Sequence, residues 1–385
     1  MIDRMGVVDR EAQADRAAAA GDLATARMLL EQEAAAAGSD ASLWLKLSAV
    51  RRASADIAGS LEAIERSLAI QPRDFAALLH RAMLLEQLGD QRCDEAFGHA
   101  LAQLPPETDV PLPMRSALKH AQERWELYST SLQKRLASAI PNGLSPAARQ
   151  RAERLASNSA HSTRHFHQEP TEFHYPGVPE IEFHDRSEFP QLELLDAATP
   201  QIREEFDALL RAEAAEMVPY IQYPSHVPLA QWKELNNSRE WTAVHLLQNG
   251  ERVEANARHC PRTLEVIAKL DQPHIRGASP NAMFSLLSPR TRIPPHTGVA
   301  NTRLVCHLPL IVPPGCGFRV GATSREWRVG ESFVFDDTIE HEAWNDSDEL
   351  RVLLIVDLWQ PSLTPDDRTA IAAVIEATGV SFAGG

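Results

Sequence analysis

The chain is poor in cysteine, has fewer basic than acidic residues, and lacks a long apolar run. Its four cysteines (Cys93, Cys260, Cys306 and Cys316) form no CxxC pair, so we expect a reduced, cytoplasmic protein without a disulfide framework. The net charge of −15 argues against charge-driven binding to nucleic acid or to an anionic membrane. No apolar run approaches the roughly 18 residues that a membrane span needs. The N-terminal residues include acids and no apolar signal core.

A repeat of 34 residues runs through the N-terminal third. Asp22, Asp56 and Asp90 are spaced at this interval, each at a turn between two stretches with helical periodicity. A 34-residue helix–turn–helix period is typical of tetratricopeptide repeats, although an unrelated helical bundle with a chance period is the alternative. We predict such repeats over residues 1–110 and a helical connector over 111–160. The repeats would offer a groove to a protein partner or would pack on the rest of the chain.

The C-terminal part has a different texture. After residue 241, short runs rich in β-branched and aromatic residues alternate with glycine and proline, as in WTAVHLLQ, TRLVCHLPLIV and LRVLLIVDLW. This spacing favours a sandwich or a barrel over alternating strands and helices. Helical patterns are confined to residues 260–270 and to the closing segment from 364.

A histidine-rich segment precedes these strands. It is rich in proline and predicts an extended loop. Its histidines fit no regular ligand spacing, and we expect them to be ordinary surface or loop residues. They are His161, His165, His167, His174 and His184.

Two further histidines and an arginine are better candidates for a functional site. His296 and His341 lie far apart in sequence, each beside β-forming residues, and Arg351 follows on the next strand. Two imidazoles can hold a metal inside a small β-barrel, and a guanidinium can bind the far carboxylate of a dicarboxylic co-substrate. This pattern suggests a non-haem Fe(II) oxygenase that uses 2-oxoglutarate.

The position two residues after the first histidine holds Gly298, where a facial triad usually carries its carboxylate. The glycine is compatible with a lost site, with a site that also binds chloride, or with an oxygenase that uses two histidines. The residues alone leave these alternatives open.

From about residue 173 to 361 the chain resembles the aspartyl/asparaginyl β-hydroxylase family of 2-oxoglutarate oxygenases. The resemblance is carried by PPHTGVANTRLVCHL, by FDDTIEHEAWN and by the Arg351 strand that ends in DLWQP. It implies a double-stranded β-helix, a cupin-like jelly roll, as the catalytic domain over 161–385. With the helical repeats ahead of it, the expected fold is α+β and multidomain. The family typically has glycine in place of the acid, and some members carry tetratricopeptide-like repeats.

The resemblance also implies roles for individual residues. His296 and His341 would bind Fe(II), and Arg351 would bind the distal carboxylate of 2-oxoglutarate beside Ser285. Two more residues, on the strand after the first histidine, are expected to face the pocket around the co-substrate and the substrate. They are Arg303 and His307.

The implied reaction is β-hydroxylation of an aspartyl or asparaginyl group, or of a related small acid, with release of succinate and CO2. One departure concerns the substrate: animal members carry arginine where this chain has Val305. Two alternatives remain open. One is a halogenase that uses the iron site at Gly298, and the other is a non-catalytic adaptor with a relic barrel.

Overall fold

The computed structural model describes residues 4–36, 40–106, 110–211, 215–224, 226 and 229–379. The chain divides into two compact units, Met1–Thr163 and Arg164–Gly385. The outer limits predicted at residues 1 and 385 lie outside the described residues. Within the described part of the chain, no helix combines the length and the hydropathy needed to cross a bilayer.

The first unit is built from helix pairs in the described ranges, followed by two more helices. The paired helices bury small and apolar side chains, such as Ala26, Leu47 and Ala82, against each other. The helices are α1 (Arg4–Ala19), α2 (Leu23–Ala36), α3 (Ala41–Ala53), α4 (Ile57–Ile70), α5 (Phe75–Gln87), α6 (Cys93–Leu101), a 3-10 turn (Leu112–Met114), α7 (Arg115–Ser138) and α8 (Pro146–Ser159). The predicted helical repeats are therefore present.

The repeated aspartates explain the 34-residue period. Asp22, Asp56 and Asp90 each precede the second helix of a pair, and each carboxylate accepts a hydrogen bond from a backbone N–H of the following turn at 2.9–3.0 Å. In all three turns the aspartate N–H also donates at 2.9 Å to the carbonyl oxygen five residues earlier. An aspartate at this position satisfies amide donors that the start of a helix leaves unpaired.

The residue before each of these aspartates adopts a left-handed backbone. Gly21 and Gly89 have φ of 81° and 66°, whereas the second repeat places Ala55 there with φ of 59°. A side chain in this region is strained, because the Cβ approaches the following carbonyl oxygen.

We expect Ala55→Gly to raise the free energy of unfolding by about 0.5–1 kcal/mol, because the left-handed penalty exceeds the entropy that glycine loses. Urea unfolding followed by circular dichroism measures the change. The matched control is Ala49→Gly, at an exposed position inside α3, which should lower stability by about 1 kcal/mol. A loss of stability in both variants would contradict the prediction.

The predicted connector is not one continuous helix. It is divided between α7 and α8, with Pro141 and Gly143 between them, and Gly143 has φ of 85°. Ala121 of α7 packs in the same core as Phe97 of α6, and a Cβ at Gly98 would overlap the ring of Trp125. The long helix therefore covers the last helix pair and belongs to the first unit.

The second unit contains two antiparallel sheets and five helices within its described ranges. The strands are β1 (Val218–Pro219), β2 (Trp241–Gln248), β3 (Glu251–Arg252), β4 (Ala282–Leu287), β5 (Thr291–His296), β6 (Arg303–Ile311), β7 (Cys316–Val320), β8 (Thr323–Arg325), β9 (Phe333–Phe335), β10 (His341–Asn345) and β11 (Arg351–Trp359). The helices are α9 (Leu192–Ala197), α10 (Thr199–Arg211), α11 (Glu254–Ala257), α12 (Pro261–Ile267) and α13 (Pro365–Thr378), with 3-10 turns at Arg186–Glu188 and Ala230–Trp232.

The larger sheet has the order β1-β2-β4-β11-β6-β9, with β3 paired to β2, and the smaller has the order β5-β10-β7-β8. One face of the larger sheet packs against helices, where Phe206 of α10 contacts Phe284 of β4. Its other face shares a core with the smaller sheet, where Phe335 meets Phe318. Every residue of β11 is buried, because both faces of this central strand are covered.

The two strands that carry the histidines were not among the runs identified in the sequence. β5 reads TRIPPH and contains Pro294 and Pro295, which are poor strand formers. Because β5 is the edge strand of the smaller sheet, its prolines remove few hydrogen bonds from the ladder. The edge position therefore tolerates a sequence that resembles a loop.

Candidate active site

The two histidines face each other across neighbouring strands. His341 of β10 is the antiparallel partner of His296 of β5, and their ring centroids lie 4.0 Å apart. The Nδ1 atom of His296 lies 2.8 Å from the carbonyl oxygen of Pro294, and that of His341 lies 3.1 Å from the carbonyl oxygen of Ile339. A carbonyl accepts a hydrogen bond only from a protonated Nδ1, so each Nε2 keeps its lone pair. Both imidazoles are in the tautomer that binds a metal through Nε2.

Burial keeps both rings neutral. It lowers the pKa of His296 to about 3, with a contribution from the nearby His341, and it lowers the pKa of His341 to about 4. Neutral imidazole is the form that ligates a metal. The pair is therefore ready to ligate a metal near neutral pH.

Arg351, at the start of β11, is a buried cation without a countercharge. Its side chain is 1% exposed, and no carboxylate in the described part of the chain forms an ion pair with it. The guanidinium donates to Ser285 Oγ at 3.3 Å and lies 5.1 Å above the ring of Trp327, while its Nε has no hydrogen-bond partner. Burial lowers its pKa to about 10, so it stays charged at neutral pH. The carboxylate of Asp346 forms its ion pair with Arg292.

Ser285 and His307 complete this end of the cavity. Ser285 Oγ accepts hydrogen bonds from Arg351 and, at 3.1 Å, from Trp241 Nε1, so its own hydrogen remains available to donate. His307 Nδ1 accepts a 3.3 Å hydrogen bond from Trp327 Nε1, which leaves the ring proton on Nε2. Burial, Arg351 and His341 hold the pKa of His307 well below its usual range. Together these groups present several donors and one uncompensated positive charge.

The other end of the cavity carries a neutralised cation. Arg303 donates to Asp337 Oδ2 at 2.9 Å, and its Nε lies 3.6 Å from Asp357 Oδ1. Burial opposes the charge of this guanidinium, but the two carboxylates raise its pKa. Gly298 lies against the same cluster, since its N–H donates to the Asp337 carbonyl at 2.7 Å and a Cβ there would overlap the Asp337 carboxylate. Because glycine has no Cβ, the Asp337 carboxylate, which comes from the loop before β10, fits beside position 298.

One cavity of about 360 Å³ contains all of the predicted site residues. Val305 and Ile355 line it between the two charged ends. The predicted set is His296, His341, Arg351, Ser285, Arg303 and His307. Carboxylates match the charge of Arg303 but not that of Arg351. Of the two arginines, Arg351 is therefore the one that can bind an added anion.

An aromatic wall that was not predicted from the sequence lies beside the histidines. Tyr220 stacks on Trp241 with ring centroids 3.8 Å apart, and Trp232 meets His296 edge to face at 4.9 Å. Tyr220 directly follows the short strand β1, and Trp232 ends a 3-10 turn, so no periodic signal marks either residue. Only the fold brings them to the cavity.

Residues 196–361 match the family model described as aspartyl/asparaginyl β-hydroxylase. The human aspartyl/asparaginyl β-hydroxylase is 34% identical over 148 residues, which are 38% of this chain and 19% of that protein. The ornithine lipid ester-linked acyl 2-hydroxylase of Rhizobium tropici is 32% identical over 185 residues, which are 47% of this chain and 62% of that protein. The chain thus spans less than two thirds of either relative. The helical unit is similar to the TPR domain of Arabidopsis OM64, with 16% identity, a TM-score of 0.27, and coverage of 31% of this chain and 94% of that one.

The second unit has an antiparallel two-sheet core, and residues 196–361 within it match a hydroxylase family model. Over this stretch the chain is similar to the aspartyl/asparaginyl β-hydroxylase family.

Proposed function

We propose that the second unit is an Fe(II)- and 2-oxoglutarate-dependent hydroxylase. The observation that carries the proposal is the buried guanidinium of Arg351, which no described carboxylate neutralises. A buried cation without a partner destabilises a folded protein by several kcal/mol. A bound anion would offset this cost, so the position of Arg351 fits an anion-binding site. The distal carboxylate of 2-oxoglutarate suits this site, because a guanidinium and the Ser285 hydroxyl can donate to it together.

The histidine pair fits a metal ion that this co-substrate would chelate. His296 and His341 leave two Nε2 lone pairs on one wall of the cavity, and imidazole is a suitable ligand for Fe(II). Bound iron would activate dioxygen so that, while 2-oxoglutarate is oxidised to succinate and CO2, one oxygen atom enters a substrate C–H bond. The protein residues orient the reactants: Arg351 and Ser285 hold the co-substrate, His307 Nε2–H donates into the cavity, and the aromatic wall excludes water.

The strand order supports a double-stranded β-helix. Counted from β4, the eight strands β4 to β11 form two four-stranded sets, β4-β11-β6-β9 and β5-β10-β7-β8. Successive strands alternate between the two sheets, except that β7 and β8 pair within the smaller one. This order is compatible with an eight-stranded jelly roll, in which the cavity lies between the sheets.

The carboxylate beside Gly298 argues against halogenation. The space that glycine leaves at position 298 is taken by the Asp337 carboxylate, whose negative charge disfavours a halide there. The hydroxylase therefore fits the site better than the halogenase does.

The substrate end of the cavity favours an uncharged group. Arg303 is outnumbered by Asp337 and Asp357, and Val305 adds no charge where animal family members carry arginine. An aspartyl carboxylate would meet a net negative cluster here, whereas an asparaginyl amide or an acyl chain would not. We infer that the reacting carbon is next to a neutral group. The name of the Rhizobium tropici relative specifies an acyl substrate for that protein.

Succinate release from 2-oxoglutarate with Fe(II) and oxygen tests the proposal. The assay is run without substrate, then with asparagine, aspartate, peptides that contain either residue, and an acyl lipid. Stimulation by a neutral substrate is expected. Folded, iron-loaded protein that forms no succinate under any of these conditions would reject the hydroxylase and favour an adaptor role for the helical repeats.

Val305→Arg is expected to raise turnover of an aspartyl peptide relative to an asparaginyl peptide about tenfold, since a charge-assisted hydrogen bond is worth about 1.5 kcal/mol. The ratio of the two kcat/KM values measures this change. Val305→Met is the matched control, because it lengthens the side chain without adding charge. An equal shift in both variants would show that shape, not charge, sets the preference.

For the helical unit we propose a protein or peptide partner. Stacked helix pairs offer an extended surface for such a partner.

A further inference from the structure

A second cluster of metal-ligand side chains lies in the extended segment before the first strand. His165 Nδ1 and His167 Nε2 are 3.1 Å apart, His167 Nδ1 lies 3.2 Å from Glu180 Oε2, and His165 Nε2 lies 3.6 Å from the same oxygen. Ligand atoms from the three residues lie within 4.8 Å of one another, which no other described group of this kind achieves. All three side chains are exposed.

The backbone of this segment holds the two rings on one side. In an extended chain, residues i and i+2 point the same way, so His165 and His167 share a face. Phe166 points to the opposite side, where it packs against the core between the sheets. Arg164 also lies on that side, with its guanidinium 4.3 Å above the Phe166 ring and an ion pair to Glu340. The anchored phenylalanine therefore fixes the two imidazoles side by side, and the neighbouring arginine is engaged elsewhere.

Glu180 reaches the histidines because the chain folds back on itself. The Gln168 backbone N–H donates to Glu180 Oε1 at 3.0 Å, and its side-chain amide donates to the Pro179 carbonyl at 3.3 Å. These hydrogen bonds join the two ends of the loop 168–180. The carboxylate is thus held at the base of the loop, beside the imidazoles.

We propose that His165, His167 and Glu180 form a second metal site, which takes a divalent transition-metal ion of the Zn²⁺ kind. Two imidazoles and a carboxylate, with water as the fourth ligand, are a common zinc environment. Ligands about 2.1 Å from a tetrahedral ion are about 3.4 Å apart. One ligand atom from each of the three residues lies within 4.8 Å of the others, and His165 Nδ1 and His167 Nε2 are 3.1 Å apart, so small side-chain rotations bring three ligand atoms to this spacing. The present hydrogen bonds among these atoms are replaced when the ion binds, and the exposed rings are free to turn.

The ion would fasten a loop that borders the candidate active site. From this loop, Glu169 N–H donates to the Thr338 carbonyl at 2.8 Å and Thr171 N–H donates to the Gly298 carbonyl at 2.9 Å. Gln168 also donates to the buried Asp336 carboxylate and accepts from Asn301 at 2.9 Å. Closing the base of the loop with a metal therefore stabilises one border of the cavity.

Equilibrium dialysis against low micromolar Zn²⁺, with metal analysis of the protein, tests the site. The starting protein is the His296→Ala/His341→Ala variant, so that zinc at the other histidine pair does not contribute. About one equivalent of zinc is expected in this double variant. The control adds His174→Ala, which removes another exposed histidine of the loop, and should also bind about one equivalent. Adding His167→Ala instead should remove the bound zinc. Equal zinc in the His167→Ala and His174→Ala proteins would overturn the proposal.

Glu180→Gln separates ligation from folding. Glutamine keeps an oxygen that accepts the hydrogen bond from Gln168, so the loop stays closed, but it removes the anionic ligand. Zinc affinity should fall at least about tenfold, because a carboxylate is the stronger ligand. Unchanged affinity would refute a site that uses Glu180. Neither outcome depends on whether the protein turns over 2-oxoglutarate.

Discussion

Arg351→Met is expected to weaken 2-oxoglutarate binding by about 10²–10⁴-fold without lowering the stability of the protein. The loss in affinity follows from two hydrogen bonds between a guanidinium and a carboxylate, each worth about 1.5–3 kcal/mol. Stability should hold or rise, because methionine fills a similar volume and removes an unpaired buried charge. Titration calorimetry with Mn²⁺ and 2-oxoglutarate, together with thermal unfolding, measures both effects.

Two further variants sharpen this experiment. Arg351→Lys keeps the charge but loses the planar pair of donors. Its affinity for 2-oxoglutarate should therefore lie between that of the Arg351→Met protein and that of the unchanged protein. Arg292→Met is the matched control, because this exposed arginine pairs with Asp346 and should affect neither quantity strongly. If Arg351→Met unfolds the protein at lower temperature and binds 2-oxoglutarate normally, the arginine is structural and the proposed function loses its main support.

Removal of both histidines should abolish iron binding in the cavity, and with it succinate release. The His296→Ala/His341→Ala protein lacks both imidazole ligands of the cavity. Loss of one group that only hydrogen-bonds to a metal ligand already reduces affinity or activity by about 10–100-fold, so loss of both ligands should have a larger effect. Folding should survive, because the rings form hydrogen bonds with backbone carbonyl groups, among them those of Pro294 and Ile339, and take part in no described ion pair. Dialysis against Fe(II) without oxygen, followed by the succinate assay, measures both losses.

The control for this experiment is His174→Ala, which removes an exposed histidine and should retain full iron binding and turnover. Thermal unfolding of each protein establishes that any loss is not caused by unfolding. Normal succinate release from the double variant would mean that iron is held elsewhere, and would exclude the histidine pair as the metal centre.

Much of the helical unit could be predicted from the sequence, because its determinants are local. The spacing of Asp22, Asp56 and Asp90 identified three equivalent turns, and each aspartate accepts a hydrogen bond from a backbone N–H two or three residues later. The break between α7 and α8 was missed, although Pro141 and Gly143 mark it. Helical periodicity continues on both sides of these two residues, so the sequence pattern favours a single helical stretch.

The strands that bear the histidines were harder to predict. β5 contains two adjacent prolines and reads as a loop, and only its place at the edge of a sheet makes it a strand. The spacing of the histidines in the preceding segment fits no ligand pattern, so the sequence alone does not predict a metal site there. Their third partner, Glu180, lies 13 residues beyond His167, and a folded loop brings it there.

The sequence by itself determined which residues have the chemistry for a site: His296, His341 and Arg351, with glycine at 298. It also determined the helical repeat, because periodicity and capping act within a few residues of each other along the chain. The tertiary structure alone decided which charges are neutralised. Arg303 and Arg351 look equivalent in the sequence, but the fold places two carboxylates beside the first and, among the described residues, no ion-pairing carboxylate beside the second. The partners of a buried charge come from distant strands, so only the folded chain distinguishes an internal ion pair from an anion-binding site.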